Sequence, residues 1–170
     1  MRVRKPQDLN GISGLIIPGG ESTVIDKLSK IYKLRDPIRA LIASGLPVFG
    51  TCAGLIMLAN DFTGGPDDQE SFGGLDVTVS RNAFGSQADS FETNLSIEGI
   101  PEEINVAFIR APIVTRAGAE VSVLAKLSDG SIVAVRQGNL LGISFHPEVT
   151  GVTSVHKYFV QMCKSANLSA

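Results

Sequence analysis

Two short apolar runs, each broken by a glycine-bearing turn and followed by helical periodicity, restrict this chain more than any other feature. Gly14–Ile17 ends at Pro18-Gly19-Gly20, and Pro47–Thr51 ends at Cys52. A short apolar run bounded by turn residues reads as a buried strand meeting a tight turn. After the first run, Ser22 or Thr23 can cap a helix passing through Leu28, Ile31 and Leu34. Pro37 opens a second helical stretch, Ile38–Ser44, which Gly45 closes. After the second run, Ala53–Asn60 continues as a helix. Two strand-to-helix units in succession imply parallel strands with helical crossovers, hence an α/β fold with helices flanking an open, mostly parallel sheet.

Downstream the texture changes. Asp61–Gly74 is rich in glycine and aspartate and reads as a surface loop. Leu75–Ser80, Glu92–Ile97, Val106–Ile109, Glu120–Leu127, Ile132–Gln137 and Leu140–Phe145 read as strands, with Ser128-Asp129-Gly130 and Gly138-Asn139 turning between the last three. Val152, Val155, Phe159, Met162 and Cys163 then recur at the spacing of an amphipathic helix. The length of 170 residues suits one domain spanning 1–170. An open α/β sheet normally begins with a strand and a helix, whereas this chain starts almost inside what would be the second strand. The expectation is that an opening strand and helix are missing.

With 15 basic and 17 acidic residues, the formal charge is −2. No cationic excess exists to hold nucleic acid or an anionic membrane surface by charge. Apolar stretches such as Ala53–Ala59 fall far short of the ~20 residues a membrane span needs, and no secretory signal pattern opens the chain. Cys52 and Cys163 form neither a disulfide framework nor a metal motif, which favours a reducing cytoplasmic setting, or an organelle whose targeting segment is absent here, over a disulfide between them. No HExxH, paired CxxC, Walker or dinucleotide fingerprint is present, so neither a metal nor a nucleotide cofactor is expected.

Gly50-Thr51-Cys52-Ala53-Gly54 carries the strongest chemical signal. A nucleophile on a sharp strand-to-helix turn needs small neighbours, because its backbone is strained and its side chain must stand clear of the sheet. A thiol at a helix N-terminus also meets the positive end of the helix dipole, which predicts a lowered pKa. The Ala53 N–H would serve as an oxyanion donor in the same space. Taken alone, the segment fits a buried core cysteine in a glycine-rich turn equally well. A base breaks the tie. His146 closes the apolar run Leu140–Phe145, at a strand end where catalytic groups of α/β sheets collect. In extended backbone Glu148 shares its face at i+2, where a carboxylate can orient and stabilise the imidazole, and Pro147 stiffens the pair; an exposed turn with an incidental ion pair is the other reading. His156, beside an apolar helix face, reads as structural, and Cys163 reads as a small core residue. The Gly19-Gly20 turn, with Glu21 and Ser22, can present backbone N–H groups to a ligand. Arg81-Asn82 and Arg110-Ala111-Pro112 can anchor a carboxylate, with a structural salt bridge as the default role of each arginine.

Together these segments resemble the glutaminase subunits of pyridoxal 5′-phosphate synthase, within the class I (triad) glutamine amidotransferases. The matching stretches are LIIPGGEST (15–23), PVFGTCAGLIMLA (47–59), GGLDVTVSRNAFGSQADSFE (73–92), FIRAP (108–112), AVRQGNLLGISFHPE (134–148) and the final helix. GTCAG and HPE indicate the wider amidotransferase class, while VSRNAFGSQ, FIRAP and PGGES point to the vitamin B6 branch. The resemblance implies a flavodoxin-like fold that hydrolyses L-glutamine to glutamate and ammonia, with Cys52, His146 and Glu148 as the triad. Gly20, Glu21, Ser22, Arg81, Ile109 and Arg110 match glutamine-binding positions of the family, and Gly19, Gly20 and Ala53 would surround the oxyanion. It further implies a synthase partner subunit in a hetero-oligomer and low activity without that partner. The chain departs from the family in lacking the opening strand, with its Leu-Gln-Gly-type segment, and the helix after it. A less stable and weaker glutaminase is expected on that account. A form that only binds or regulates the synthase is the alternative, and a glutaminase serving another pathway, such as histidine biosynthesis, is disfavoured by VSRNAFGSQ and FIRAP.

Overall fold

The computed structural model describes residues 1–81 and 90–168. A 3-10 turn, Pro6–Leu9, leads to strand β1, Leu15–Ile17. Helices α1, Ser22–Ile31, and α2, Arg35–Ala43, precede β2, Val48–Thr51. Helix α3, Ala53–Leu58, follows Cys52 directly and passes into β3, Ala59–Thr63. Then come β4 (Leu75–Ser80), β5 (Phe91–Leu95), β6 (Ile104–Phe108), β7 (Ile113–Ala117), β8 (Ser122–Lys126), β9 (Ile132–Gln137), β10 (Leu140–Ile143) and α4 (Ser154–Leu168).

The expected α/β class is observed, with a mixed central sheet ordered β1-β2-β10-β9-β7-β4-β3 and with β8 added to β9. Its first three strands run parallel, with Ile17 opposite Gly50 and Gly142 opposite Gly50 from the other side. The run from β10 through β9 and β7 to β4 is antiparallel, and β3 returns parallel to β4. The change of direction has a local cause. The Gly138-Asn139 connection is too short for a crossover, so β9 and β10 must pair as a hairpin. β5 and β6 form a separate antiparallel pair.

Several element boundaries differ from expectation. Glu21, not Ser22 or Thr23, caps α1, its carboxylate accepting from the Thr23 N–H at 3.4 Å. The 61–74 segment, expected as a loop, begins inside β3, whose pattern of burial shows no clean alternation to announce a strand. β7 was not expected either, since only Val114 of its five residues is buried.

The sheet separates two apolar cores, because consecutive residues of a strand face opposite ways. Val48 and Leu140 face a core with Ile38, Met57 and Phe72, whereas Phe49 and Leu141 face another with Phe108, Val155 and Phe159. The α4 periodicity is thereby explained: Val155, Phe159 and Met162 seal the second face. His156 sits edge-on to Phe49 with ring centres 5.7 Å apart, the structural role expected of it. Cys163, half-buried, closes over Gly14, where a Cβ would meet its sulfur.

Across the first face, Asp26 of α1 is buried and ties three segments together. Its carboxylate binds Arg35 of α2 and Lys30, the latter at 3.0 Å, and accepts from the Glu70 N–H at 3.3 Å. Glu70 in turn pairs with Arg35 at 2.9 Å and Arg39 at 3.3 Å. The Arg35 guanidinium beside Glu70 holds that carboxyl below its ordinary range. Among the described residues, no helix is long and apolar enough to cross a membrane.

Candidate active site

Three neighbouring parallel strands point their C-terminal ends the same way, and each delivers one part of the site. β1 runs into Pro18-Gly19-Gly20-Glu21, β2 into Cys52, and β10 through Ser144 and Phe145 into His146. The register makes this convergence tight: Ile17, Gly50 and Gly142 stand side by side. The open end of a parallel sheet is where neighbouring loops part and a ligand can enter.

Cys52 has φ +51° and ψ −103°, a region that a residue with a Cβ rarely occupies. Its N–H donates to the Ile143 carbonyl at 2.8 Å, so the strained turn is pinned to β10. The flanking glycines are required by close approach. A Cβ on Gly50 would strike the Gly54 carbonyl, and one on Gly54 would strike the Ile17 carbonyl. The small-residue elbow expected from the sequence is therefore present, and it fits one helix start against two strands.

His146 is held from both ends. Its N–H donates to Ala107 of β6 at 2.8 Å, in an isolated antiparallel bridge. Its ring Nδ1 bonds Glu148 Oε1 at 2.8 Å. With Nδ1–H donating to the carboxylate, Nε2 is left as the basic nitrogen. The Thr150 hydroxyl donates to the Asn105 carbonyl at 2.8 Å and to the Pro147 carbonyl at 3.2 Å, fastening the His146–Glu148 segment to β6. Gly19 packs on the other side of the ring: a Cβ there would lie 2.5 Å from His146 Cε1.

The Cys52 thiol is not acidified. Burial pushes it up to about 11, the Glu148 and Glu21 carboxylates push the same way, and the Ala53 backbone N–H opposes them. The expectation of a lowered pKa is thus overturned. α3 has six residues, and its terminus does not offset the loss of water around a residue that is 7% exposed. A neutral resting thiol must then give up its proton as it attacks, which makes a neighbouring base essential.

Cys52, Ala53 and His146 line one cavity of about 330 Å³. Gly20, Glu21 and Ser22 form a second wall, and Arg81, Ile109 and Arg110 a third. Arg81 follows β4 directly, and its Nη2 donates to Glu21 Oε1 at 2.6 Å. Arg110 follows β6 with φ +46°, a turned backbone that starts a new direction after the strand. Gly19 and Glu148 stand outside the lining and touch His146 instead. Asn82, singled out beside Arg81, and most of the VSRNAFGSQ segment lie outside the described residues.

Ile56 also lines the cavity and was missed from the sequence. Its signal was the i+4 spacing from Cys52, which places both on one side of α3. Ser22 is 1% exposed, and its Oγ lacks a hydrogen-bond partner among the described residues. A buried hydroxyl at a cavity wall with an unused bonding capacity suits a polar ligand. Among the described residues, no group of three His, Cys, Asp or Glu side chains converges as metal ligands do.

Comparison with known proteins gives a consistent result. The SNO glutamine amidotransferase family matches residues 1–165. The pyridoxal 5′-phosphate synthase subunit PdxT of Clavibacter michiganensis subsp. michiganensis is 56% identical over 165 residues, covering 96% of this chain and 79% of that protein. The PdxT subunit of Dehalococcoides mccartyi is 51% identical over 166 residues, covering 97% of this chain and 85% of its own. A crystal structure of a glutamine amidotransferase superposes with a TM-score of 0.89 at 46% identity, covering 95% of this chain and 85% of that one.

Proposed function

The chain belongs to the SNO glutamine amidotransferase family, and from that premise we propose that it is the glutaminase subunit of a pyridoxal 5′-phosphate synthase. It hydrolyses L-glutamine to glutamate and ammonia, and the ammonia goes to a synthase subunit that consumes it. The observation that carries this reading is the meeting of the β1, β2 and β10 ends, which brings Gly20 and Glu21, Cys52 and His146 to one cavity.

In this reading Cys52, His146 and Glu148 are the triad. Cys52 Sγ attacks the side-chain amide carbon of glutamine as His146 Nε2 takes the thiol proton. The carbonyl oxygen becomes an oxyanion, which the N–H of Ala53 and those of Gly19 and Gly20 stabilise. The imidazolium passes its proton to the departing nitrogen, so ammonia leaves and a thioester remains on Cys52. Water, deprotonated by His146, then attacks the thioester and releases glutamate. Glu148 holds the imidazole tautomer and offsets its charge when protonated, which the 2.8 Å bond to Nδ1 supports.

The remaining walls bind the amino-acid end of the substrate. Glu21 offers a carboxylate for the α-ammonium, and Arg110 and Arg81 offer guanidinium groups for the α-carboxylate, with Gly20, Ser22 and Ile109 completing the contact. Residues 1–170 act as one glutaminase domain, a view supported by the family match and by two cores that share one sheet. A hetero-oligomer with the synthase subunit and a cytoplasmic setting belong to the same reading. The latter is supported by a nucleophile that must stay a free thiol.

The test is ammonia release from L-glutamine by the full chain combined with a synthase subunit. Cys52→Ala should abolish it, and a Cys52→Ala variant as active as the unaltered chain would refute the assignment.

A further inference from the structure

The cavity walls account for Arg81 and Glu21 but not for what holds Arg81 in place. Its Nη1 donates to Gln69 Oε1 at 2.9 Å, while its Nη2 donates to Glu21 Oε1 at 2.6 Å. Gln69 sits in the segment between β3 and β4, has no place in the cavity lining, and is 8% exposed. A polar side chain buried to this extent in a connecting segment has to be satisfied locally or used. Its oxygen is used. Its Nε2 has no partner among the described residues, so the bond to Arg81 is what its amide contributes.

The surrounding backbone is shaped to that contact. The Gln69 N–H donates to the Pro66 carbonyl at 3.1 Å, the Glu70 N–H to Asp26 at 3.3 Å, and the Phe72 N–H to Met57 at 2.7 Å. The C-terminal flank of Gln69 is therefore anchored to the body of the fold, and a local turn from Pro66 braces its other side. Gly65 supplies the room: a Cβ there would lie 2.8 Å from Phe62 Cε2 and 3.0 Å from both Arg81 Nη1 and Gln69 Oε1. Glu21 lies nearer to water, its Oε1 accepting also from the Thr23 N–H at 3.4 Å and the Thr23 hydroxyl at 3.1 Å. Its side chain is 56% exposed, while that of Arg81 is 13% exposed. The guanidinium thus has one buried anchor and one wet one. Without the buried anchor, the Arg81 guanidinium keeps only a solvent-exposed carboxylate as its partner.

We infer that Gln69 is a positioning residue for substrate binding: its buried amide oxygen fixes the Arg81 guanidinium, and through it Glu21, against the amino-acid end of glutamine. The inference rests on the glutaminase reading given above. Gln69 touches neither the reacting carbon nor the thiol, so its loss weakens binding in the ground state and the transition state alike. That pattern raises KM and spares kcat.

The test compares Gln69→Met with Gln69→Glu in the full chain combined with its synthase subunit, measuring ammonia release against L-glutamine concentration and the melting temperature of each variant. Methionine keeps the length and volume but loses the acceptor. Glutamate keeps the acceptor, and exchanging the unpartnered amide nitrogen for oxygen removes no bond. Gln69→Met should raise KM about tenfold with kcat within about twofold, the loss expected for one charge-assisted hydrogen bond. Gln69→Glu should stay within about threefold of the unaltered KM. An active protein whose KM is unchanged by Gln69→Met overturns the inference alone. So does an equal impairment of the Met and Glu variants with lowered melting temperatures, which marks a packing role. An unaltered protein that releases no ammonia from glutamine overturns the glutaminase reading and this inference with it.

Discussion

Replacing Gly19 by alanine tests the geometry of the base more selectively than removing the base. Gly19 is not among the residues with positive φ, so its backbone accepts a side chain without strain, and the N–H assigned to the oxyanion is retained. The added methyl meets one obstacle, the imidazole. A Cβ at residue 19 would stand 2.5 Å from His146 Cε1 and 3.3 Å from Nδ1. Ordinary contact between such atoms is about 3.5–4.0 Å, so the ring must retreat by about 1 Å. The backbone of His146 is bonded to Ala107 and cannot follow, so the ring must tilt off its 2.8 Å bond to Glu148. A catalytic group misplaced by about 1 Å costs about a hundredfold in rate, equivalent to about 2.7 kcal/mol of transition-state stabilisation. The assay is steady-state ammonia release by the full chain with its synthase subunit, with the melting temperature as the check on folding. The expected result is a fall of about a hundredfold in kcat/KM, carried by kcat, at nearly unchanged stability. A Gly19→Ala variant within threefold of the unaltered kcat/KM would refute the argument, since the ring would then be either elsewhere or not the base.

Three other outcomes follow from the same coordinates. Gly20 has φ +131° with nothing near its absent side chain, so Gly20→Ala should act through backbone strain and lower stability by about 1–3 kcal/mol in urea titration, and an unchanged midpoint would count against that backbone. Because the Cys52 thiol lies at about 11, its alkylation by iodoacetamide, followed by peptide mass spectrometry, should accelerate about tenfold per pH unit from pH 7 to 10. A rate that levels off below pH 9 would contradict the burial argument. Asp26→Ala should lower unfolding stability by about 3 kcal/mol, since it leaves the Arg35 guanidinium, 12% exposed, without its innermost partner. A loss under about 1 kcal/mol would show that Glu70 alone satisfies that arginine.

The elbow was legible in the sequence because its cause is local. A residue at φ +51° between a strand and a helix needs neighbours without side chains, and Gly50 and Gly54 declare that need wherever the rest of the chain goes. The His146–Glu148 pair was legible because the two residues are near neighbours in sequence, although they meet across a turn closed by the Val149 N–H on the His146 carbonyl and not along the extended face expected. Other features depended on distant segments. That β10 returns beside β2, so that His146 meets the cavity of Cys52, is a matter of sheet order. Among the described residues, the chain between them passes through seven intervening strands before it comes back. The thiol's pKa took the opposite direction to the one expected, because the helix terminus is written in neighbouring residues whereas desolvation is imposed by everything packed around the sulfur. Gln69 carried no sequence signal at all. A glutamine in a glycine- and aspartate-rich stretch looks like a solvated loop residue until folding buries it against an arginine 12 positions away. Local sterics and periodicity can be read from a sequence, but burial and the company of remote side chains exist only once the chain has closed on itself.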